Sequence, residues 1–151
     1  MKRILCLTFA FFVFHNIGLA QNAEDSVKNV INSMFTAMRN ADSNSLKSVF
    51  SDGVILQTIA TSKDGDQIVR TQKIESFIQS ISLLSVNDAD EQIKFETIKI
   101  DGPMAIVWTP YKFYYKGNFS HCGVNVFQLV RLKEGWKINY LIDTRRKQHC
   151  E

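Results

Sequence analysis

His121, Asn125 and Asp143 are the side chains of this chain whose types and spacing most suggest chemistry. A hairpin joined at Lys133-Glu134-Gly135 with Leu132 opposite Trp136 sets Asn125 opposite Asp143 and places His121 two pairs further along. A histidine close to a carboxylate can act as general acid or base near neutral pH. In that register the group shares its face with Phe127, Leu129 and Arg131, the expected outer face, where polar residues are solvated or line a contact between copies. A β-bulge at Gly123 would turn it inward.

The opposite, core face then carries Trp108, Gln128 and Tyr140 among Val126, Val130 and Ile138. These three either stack and orient a flat apolar or aromatic ligand or complete the core with satisfied hydrogen bonds. The ligand-binding candidates are therefore Trp108, Gln128, Tyr140 and His121, and no residue is assigned a catalytic role. An isomerase-, dehydratase- or cyclase-type alternative would use His121 or Asp143, and a protein-interaction module with a filled interior is a further alternative. Cys122 falls opposite Arg146, so a disulfide with Cys150 requires the tail to fold back until the Cα atoms lie within about 7 Å. The sequence leaves that pairing open. Two thiols and His121 do not make a structural zinc ligand set, and no cofactor is implied.

Positioning these residues needs a sheet and something to cover it. Val27, Val30, Ile31, Met34, Phe35 and Met38 follow at three- and four-residue spacing, an apolar helical stripe that Asn22 can cap. Asp42 caps a short second helix carrying Leu46, Val49 and Phe50. Val54 to Thr61 and Gln67 to Arg70 read as strands around Lys63-Asp64-Gly65-Asp66. Thr71 then caps a third helix with Ile74, Phe77, Ile78 and Ile81, and Ser85 to Glu91 reads as a polar loop. From Gln92 the period changes. Ile93 to Ile100, Met104 to Tyr115, Phe119 to Leu132 and Trp136 to Thr144 are β-runs whose short connections join antiparallel neighbours. Helices first and meander last predict an α+β domain, a curved antiparallel sheet packed on N-terminal helices.

Residues 1–20 read as an export signal: Lys2 and Arg3 precede an apolar run from Ile4 to Phe14, and Gly18 and Ala20 supply small residues before a cleavage site. That run falls short of the ~20 residues that span a bilayer, so no stable membrane insertion is expected after cleavage. Residues 21–151 then form one domain, periplasmic or secreted. Losing Lys2 and Arg3 leaves 16 basic residues against 15 acidic and lowers the formal net charge from +3 to +1. That balance argues against nucleic acid as a partner.

The helix order, the closing Phe50-Ser51-Asp52-Gly53, and the final Gly135-Trp136-Lys137-Ile138 resemble the nuclear transport factor 2-like superfamily over residues 23 to 146. Phe119-Ser120-His121-Cys122-Gly123 and Asp143-Thr144-Arg145-Arg146 resemble its secreted bacterial lumazine-binding-like and polyketide-cyclase-like (SnoaL-like) branch. The resemblance implies a cone-shaped fold with a pocket at its open end and a homodimer formed on the outer sheet face. The superfamily's steroid isomerases carry a carboxylate base eight residues after the phenylalanine that closes the second helix. Here that position is Thr58, which is no general base. Their helix-borne tyrosine is absent as well, and the histidine-rich dehydratase arrangement is not met by His121 and His149 alone.

Overall fold

A computed structural model describes residues 15–150. The expected export signal lies largely outside them. Helix α1 (His15–Arg39) runs through Asn22 without a cap there and is followed by α2 (Ser43–Ser48), β1 (Phe50–Thr61), β2 (Gln67–Gln72) and α3 (Ile74–Ser82). Then come β3 (Ala89–Ile93), β4 (Thr97–Asp101), β5 (Met104–Tyr115), β6 (Asn118–Leu132) and β7 (Gly135–Thr144). No helix among the described residues is long and apolar enough to cross a membrane.

The strands form one curved, unclosed sheet in the order β2-β1-β7-β6-β5-β3, with β4 following β3 along the same edge of β5. The sheet is mixed rather than wholly antiparallel, because β1 enters from the helical layer and runs parallel to β7. Helix α1 lays its stripe on the concave face. Val27 and Ile31 are fully buried there, and the rings of Phe35 and Phe127 meet edge to face at 6.2 Å. Asp42 caps α2 by accepting from the amides of Asn44 and Ser45. The residue that caps α3 is Lys73 rather than Thr71, which lies in β2 and pairs with Gln57 of β1, and Phe77 packs edge to face on Phe50. The Ser85–Glu91 segment is only partly loop, since pairing with β5 draws Ala89 to Ile93 into a strand despite their weak β-propensity.

The hairpin register decides which face is core. Leu132 pairs with Gly135 and Arg131 with Trp136, one residue away from the expected Leu132–Trp136 pairing. A one-residue slip sends every side chain to the other face of a strand. Trp136 and Ile138 are buried, so Leu129, Phe127 and Asn125 are buried with them, as are Val107, Ala105 and Thr109 on β5. Trp108 and Gln128 consequently point to the convex side, where Trp108 is 45 % exposed, and the core placement expected for them is corrected.

A bulge at Asn139 then restores the expected pairing, because Leu129 pairs with Ile138 but Gln128 with Tyr140. Ser51 donates from Oγ to Asn139 Oδ1 at 2.9 Å and holds the bulge in place. Beyond it Leu141 and Asp143 face the helices, and Tyr140 turns to the convex face, where its hydroxyl donates to Gln57 Oε1 at 2.6 Å.

This face assignment is testable by truncation. Phe127→Ala should cost about 3–5 kcal/mol in urea unfolding, as for a buried aromatic ring, whereas Trp108→Ala should stay within about 1 kcal/mol. Equal losses would refute the assignment.

Candidate functional site

The helices do not fill the open end of the sheet. A cavity of about 380 Å3 remains there. Its walls are apolar where α1 supplies Met34, Phe35 and Met38, α3 supplies Phe77 and Ile81, and the link after α3 supplies Leu84. Its sheet side is polar, with Thr58 from β1, Glu91 from β3, Tyr111 from β5, His121 and Asn125 from β6, Asp143 from β7, and Arg145 just beyond.

Asp143 is the hub of that side. Its carboxylate accepts from the Thr58 hydroxyl, from Arg145 Nε at 2.8 Å and from the Tyr111 hydroxyl at 3.1 Å, while it remains 8 % exposed. Arg145 Nη2 also reaches Thr58 Oγ1 at 3.3 Å, closing a ring of contacts at the cavity mouth. Tyr111 comes from two strands away and must cross β6 to reach Asp143. It does so over Gly123, its register partner. A Cβ on Gly123 would stand 2.8 Å from the Tyr111 ring and 1.8 Å from the Thr144 carbonyl oxygen, so only glycine leaves room. The Tyr111 hydroxyl, which also lies 2.9 Å from the Thr144 carbonyl, is held protonated by burial and by the charges of Asp143 and Glu91.

Among the described residues, the Glu91 carboxyl is held by a single hydrogen bond. Asn125 Nδ2 donates to its Oε1 at 2.8 Å, and among the described residues its Oε2 has no hydrogen-bond partner. Glu91 is partly buried and lines the cavity. Burial pushes its pKa up to about 7, opposed by the Asn125 hydrogen bond, raised further by Asp143 and opposed by Arg145. A carboxylic acid that titrates at neutral pH is available as hydrogen-bond donor and as proton donor or acceptor.

His121 lines the same cavity, on the inner rather than the outer face. Its ring sits 5.7 Å from Tyr111 and 5.1 Å from Phe113, and its Nδ1 lies 3.0 Å from Ser120 Oγ. Burial, reinforced by Arg145, lowers its pKa and keeps the imidazole neutral. Of the expected ligand-binding set, the structure thus brings His121 to the cavity and places Trp108, Gln128 and Tyr140 outside it. Asn125 and Asp143 pair as the sequence suggested, but inward. Glu91 was missed, because a segment rich in Asp and Glu with no apolar alternation carries no strand signal. Cys122 and Cys150 are joined, with Cα atoms 5.7 Å apart, and the bridge straps the tail beside His121 through the Cys122–Arg146 pair. Among the described residues, no group of three or more His, Cys, Asp or Glu could hold a metal ion.

No family model and no curated protein matches the chain. Solved structures do. An NTF2-like protein with a cystatin-like fold from Novosphingobium aromaticivorans superposes with a TM-score of 0.67 at 11 % identity, over 92 % of this chain and 94 % of that one. An NTF2-like protein of unknown function from Shewanella baltica gives 0.65 at 14 % identity, over 85 % and 97 %. A cystatin-like domain of unknown function from Nostoc punctiforme gives 0.65 at 16 %, over 85 % and 80 %. At such identities the likeness establishes the fold, which is NTF2-like.

The Glu91 environment predicts how stability responds to pH. Folded Glu91 keeps its proton up to about pH 7 against 4.5 for the ordinary carboxyl, so the folded state binds more protons between those values and loses stability as pH rises through them. In urea unfolding, the wild type should lose up to about 3 kcal/mol relative to Glu91→Gln between about pH 5 and about pH 8. Parallel pH profiles would show that Glu91 is not shielded.

Proposed function

We propose that this NTF2-like domain is an exported small-molecule-binding protein that does not transform its ligand and that works as a homodimer. The carrying observation is the cavity of about 380 Å3, with apolar helical walls and the carboxyl of Glu91, whose Oε2 has no hydrogen-bond partner among the described residues. Small-molecule sites combine apolar walls with a few polar groups that fix orientation. With Glu91 protonated, the charges inside balance, since Asp143 is paired with Arg145 and His121 is neutral. The ligand that suits this interior is neutral, with an apolar or aromatic body and one acceptor, such as a carbonyl oxygen, placed to take the Glu91 proton in a hydrogen bond. A module with a filled interior does not fit a cavity of this size.

Export is supported by the signal-like residues 1–20 and by the Cys122–Cys150 bridge, since disulfides persist in oxidising compartments. A lumazine-binding-like or SnoaL-like affiliation is supported by the motifs around His121 and Asp143. Dimerisation is supported by the convex face, where Met104, Ile106 and Trp108 on β5 are each more than two-fifths exposed and Ile55 on β1 is 47 % exposed. A contiguous apolar sheet face is a common site of association.

A second reading, acid–base catalysis of the isomerase or dehydratase type, is favoured by one observation. Glu91 titrates at about 7 inside a cavity that also holds His121 and Asp143.

Thermal-shift screening checks the binding reading. A neutral acceptor-bearing ligand at about a hundred times its Kd should add about 2.7 kcal/mol and raise Tm by several degrees. Glu91→Gln, which keeps a neutral donor, should preserve the shift, and Glu91→Leu should lose most of it. A library that shifts neither the wild type nor Glu91→Gln would sink the proposal, and turnover abolished by Glu91→Gln would favour catalysis. For the dimer, Ile106→Asp combined with Trp108→Asp should convert the sedimenting species from dimer to monomer. A monomeric wild type would refute the assembly.

A further inference from the structure

We infer that the rim of the cavity mouth docks on an anionic lipid surface. Among the described residues, the two most exposed large apolar side chains are Leu83 at 79 % and Val86 at 61 %, and both lie on the link between α3 and β3. Neither belongs to the convex face, so dimerisation there leaves them bare. Leu83 adjoins Leu84, which lines the cavity, and Val86 tips a turn closed by Asp88 N–H to the Ser85 carbonyl and Ser85 N–H to Asp88 Oδ2.

That turn is fused to the β5–β6 hairpin. Lys116 N–H donates to the Asp88 carbonyl at 2.9 Å, and Tyr115 pairs with Ala89. The hairpin contributes Tyr115, 43 % exposed and itself lining the cavity, while Phe119, 44 % exposed, pairs with Tyr114 on the other face of the hairpin tip. A rigid two-residue loop at Lys116-Gly117, both with positive φ, sets them in place. The mouth is thus bordered by apolar tips rather than by a flat patch.

Charge selects the occupant. Lys116 stands between the aromatic residues with its ammonium 5.5 Å from the Tyr115 ring centre. The disulfide and the Cys122–Arg146 pair hold Arg146 and Lys147 at the same end of the sheet, next to Arg145, whose charge is paired with Asp143. Of the acids nearby, Asp90 is paired with Arg39, and Asp88 accepts from the Ser85 amide within its own turn. Protruding Leu and Val, Tyr beside them, and a border of Lys and Arg are the composition that sits at a membrane–water boundary and favours anionic head groups. Since Leu84 and Tyr115 belong to both rim and cavity, docking would open the cavity directly onto the acyl region, and an amphiphile could enter without crossing water.

The test places a reporter at the tip. In the full chain, the indole introduced by Val86→Trp should be quenched by vesicles of phosphatidylcholine and phosphatidylglycerol brominated on the acyl chains, its emission roughly halved as expected for a side chain seated at the acyl boundary. Trp108 and Trp136 of the unsubstituted chain, read in parallel, should be quenched far less. Apparent vesicle affinity should fall about fivefold for each charge removed, so Lys116→Glu with Lys147→Glu should weaken it by well over tenfold, as should high salt. An indole that stays unquenched, including on a chain tethered only by its N-terminal segment, would overturn the inference. So would equal quenching by purely neutral vesicles, or a spectral shift that grows with protein concentration without vesicles, which would give the rim to a second copy. Loss of ligand shifts with vesicle docking intact would strike the binding proposal and leave this one standing.

Discussion

The pairing of Arg131 with Trp136 fixes which side of the sheet becomes the interior. Trp136 is the largest side chain of β7, and its burial beside Ile138 commits Leu129, Phe127 and Asn125 to the same side. Every strand further along the order inherits the choice through its register. Val107 and Thr109 turn in, and Ile106 and Trp108 turn out. Because side chains alternate with period two, there is no intermediate arrangement. The Asn139 bulge is the second constraint, and it acts locally. Without its extra residue Asp143 would lie on the convex face and Arg145 with it, leaving Tyr111 no partner to cross Gly123 for. The bulge carries the buried face of β7 from Trp136 and Ile138 to Leu141 and Asp143, and so puts a carboxylate at the cavity.

How much of this was legible follows from the same two features. Helix α1, the order of elements and the long final hairpin show in the 3.6-residue and two-residue periods, and the pairs Asn125–Asp143 and Cys122–Arg146 follow from counting across the turn. The face could not be read that way. β6 is apolar on both sides, with Val124, Val126 and Val130 on one and Phe127 and Leu129 on the other, so hydrophobicity offers no vote. Counting Lys133-Glu134-Gly135 as a three-residue loop then tipped the whole sheet over, although Gly135 is the first residue of β7. The residual signal was Gly123. A glycine inside a long strand marks a bulge or a close approach, and here it is the close approach of Tyr111.

The polar cluster collects at one end of the sheet for a physical reason. Towards the turn of the final hairpin, α1 and α2 cover the concave face with fully buried Ile31 and Leu46, and a polar side chain there would lose water without gaining partners. Towards the mouth a cavity remains, to which β1, β3, β5 and β7 bring Thr58, Glu91, Tyr111 and Asp143 and β6 brings both His121 and Asn125. Thr58, Tyr111 and Arg145 satisfy Asp143, and Asn125 half satisfies Glu91.

Glu91 is where this packing stays unresolved, and that is what distinguishes a site from a core. An ion pair costs little when one partner is half exposed, as Arg145 is beside Asp143. Among the described residues, Glu91 has no such cation bonded to it. Its one hydrogen bond comes from a neutral amide, and its proton is retained to about pH 7 by burial. A glutamine at this position would keep a hydrogen-bonding amide and remove the titration, and a leucine would fill the space, so ordinary packing gives no reason for a carboxyl. A carboxyl that lowers stability above neutrality while one of its oxygens has no hydrogen-bond partner among the described residues is the feature on which the proposed binding role rests.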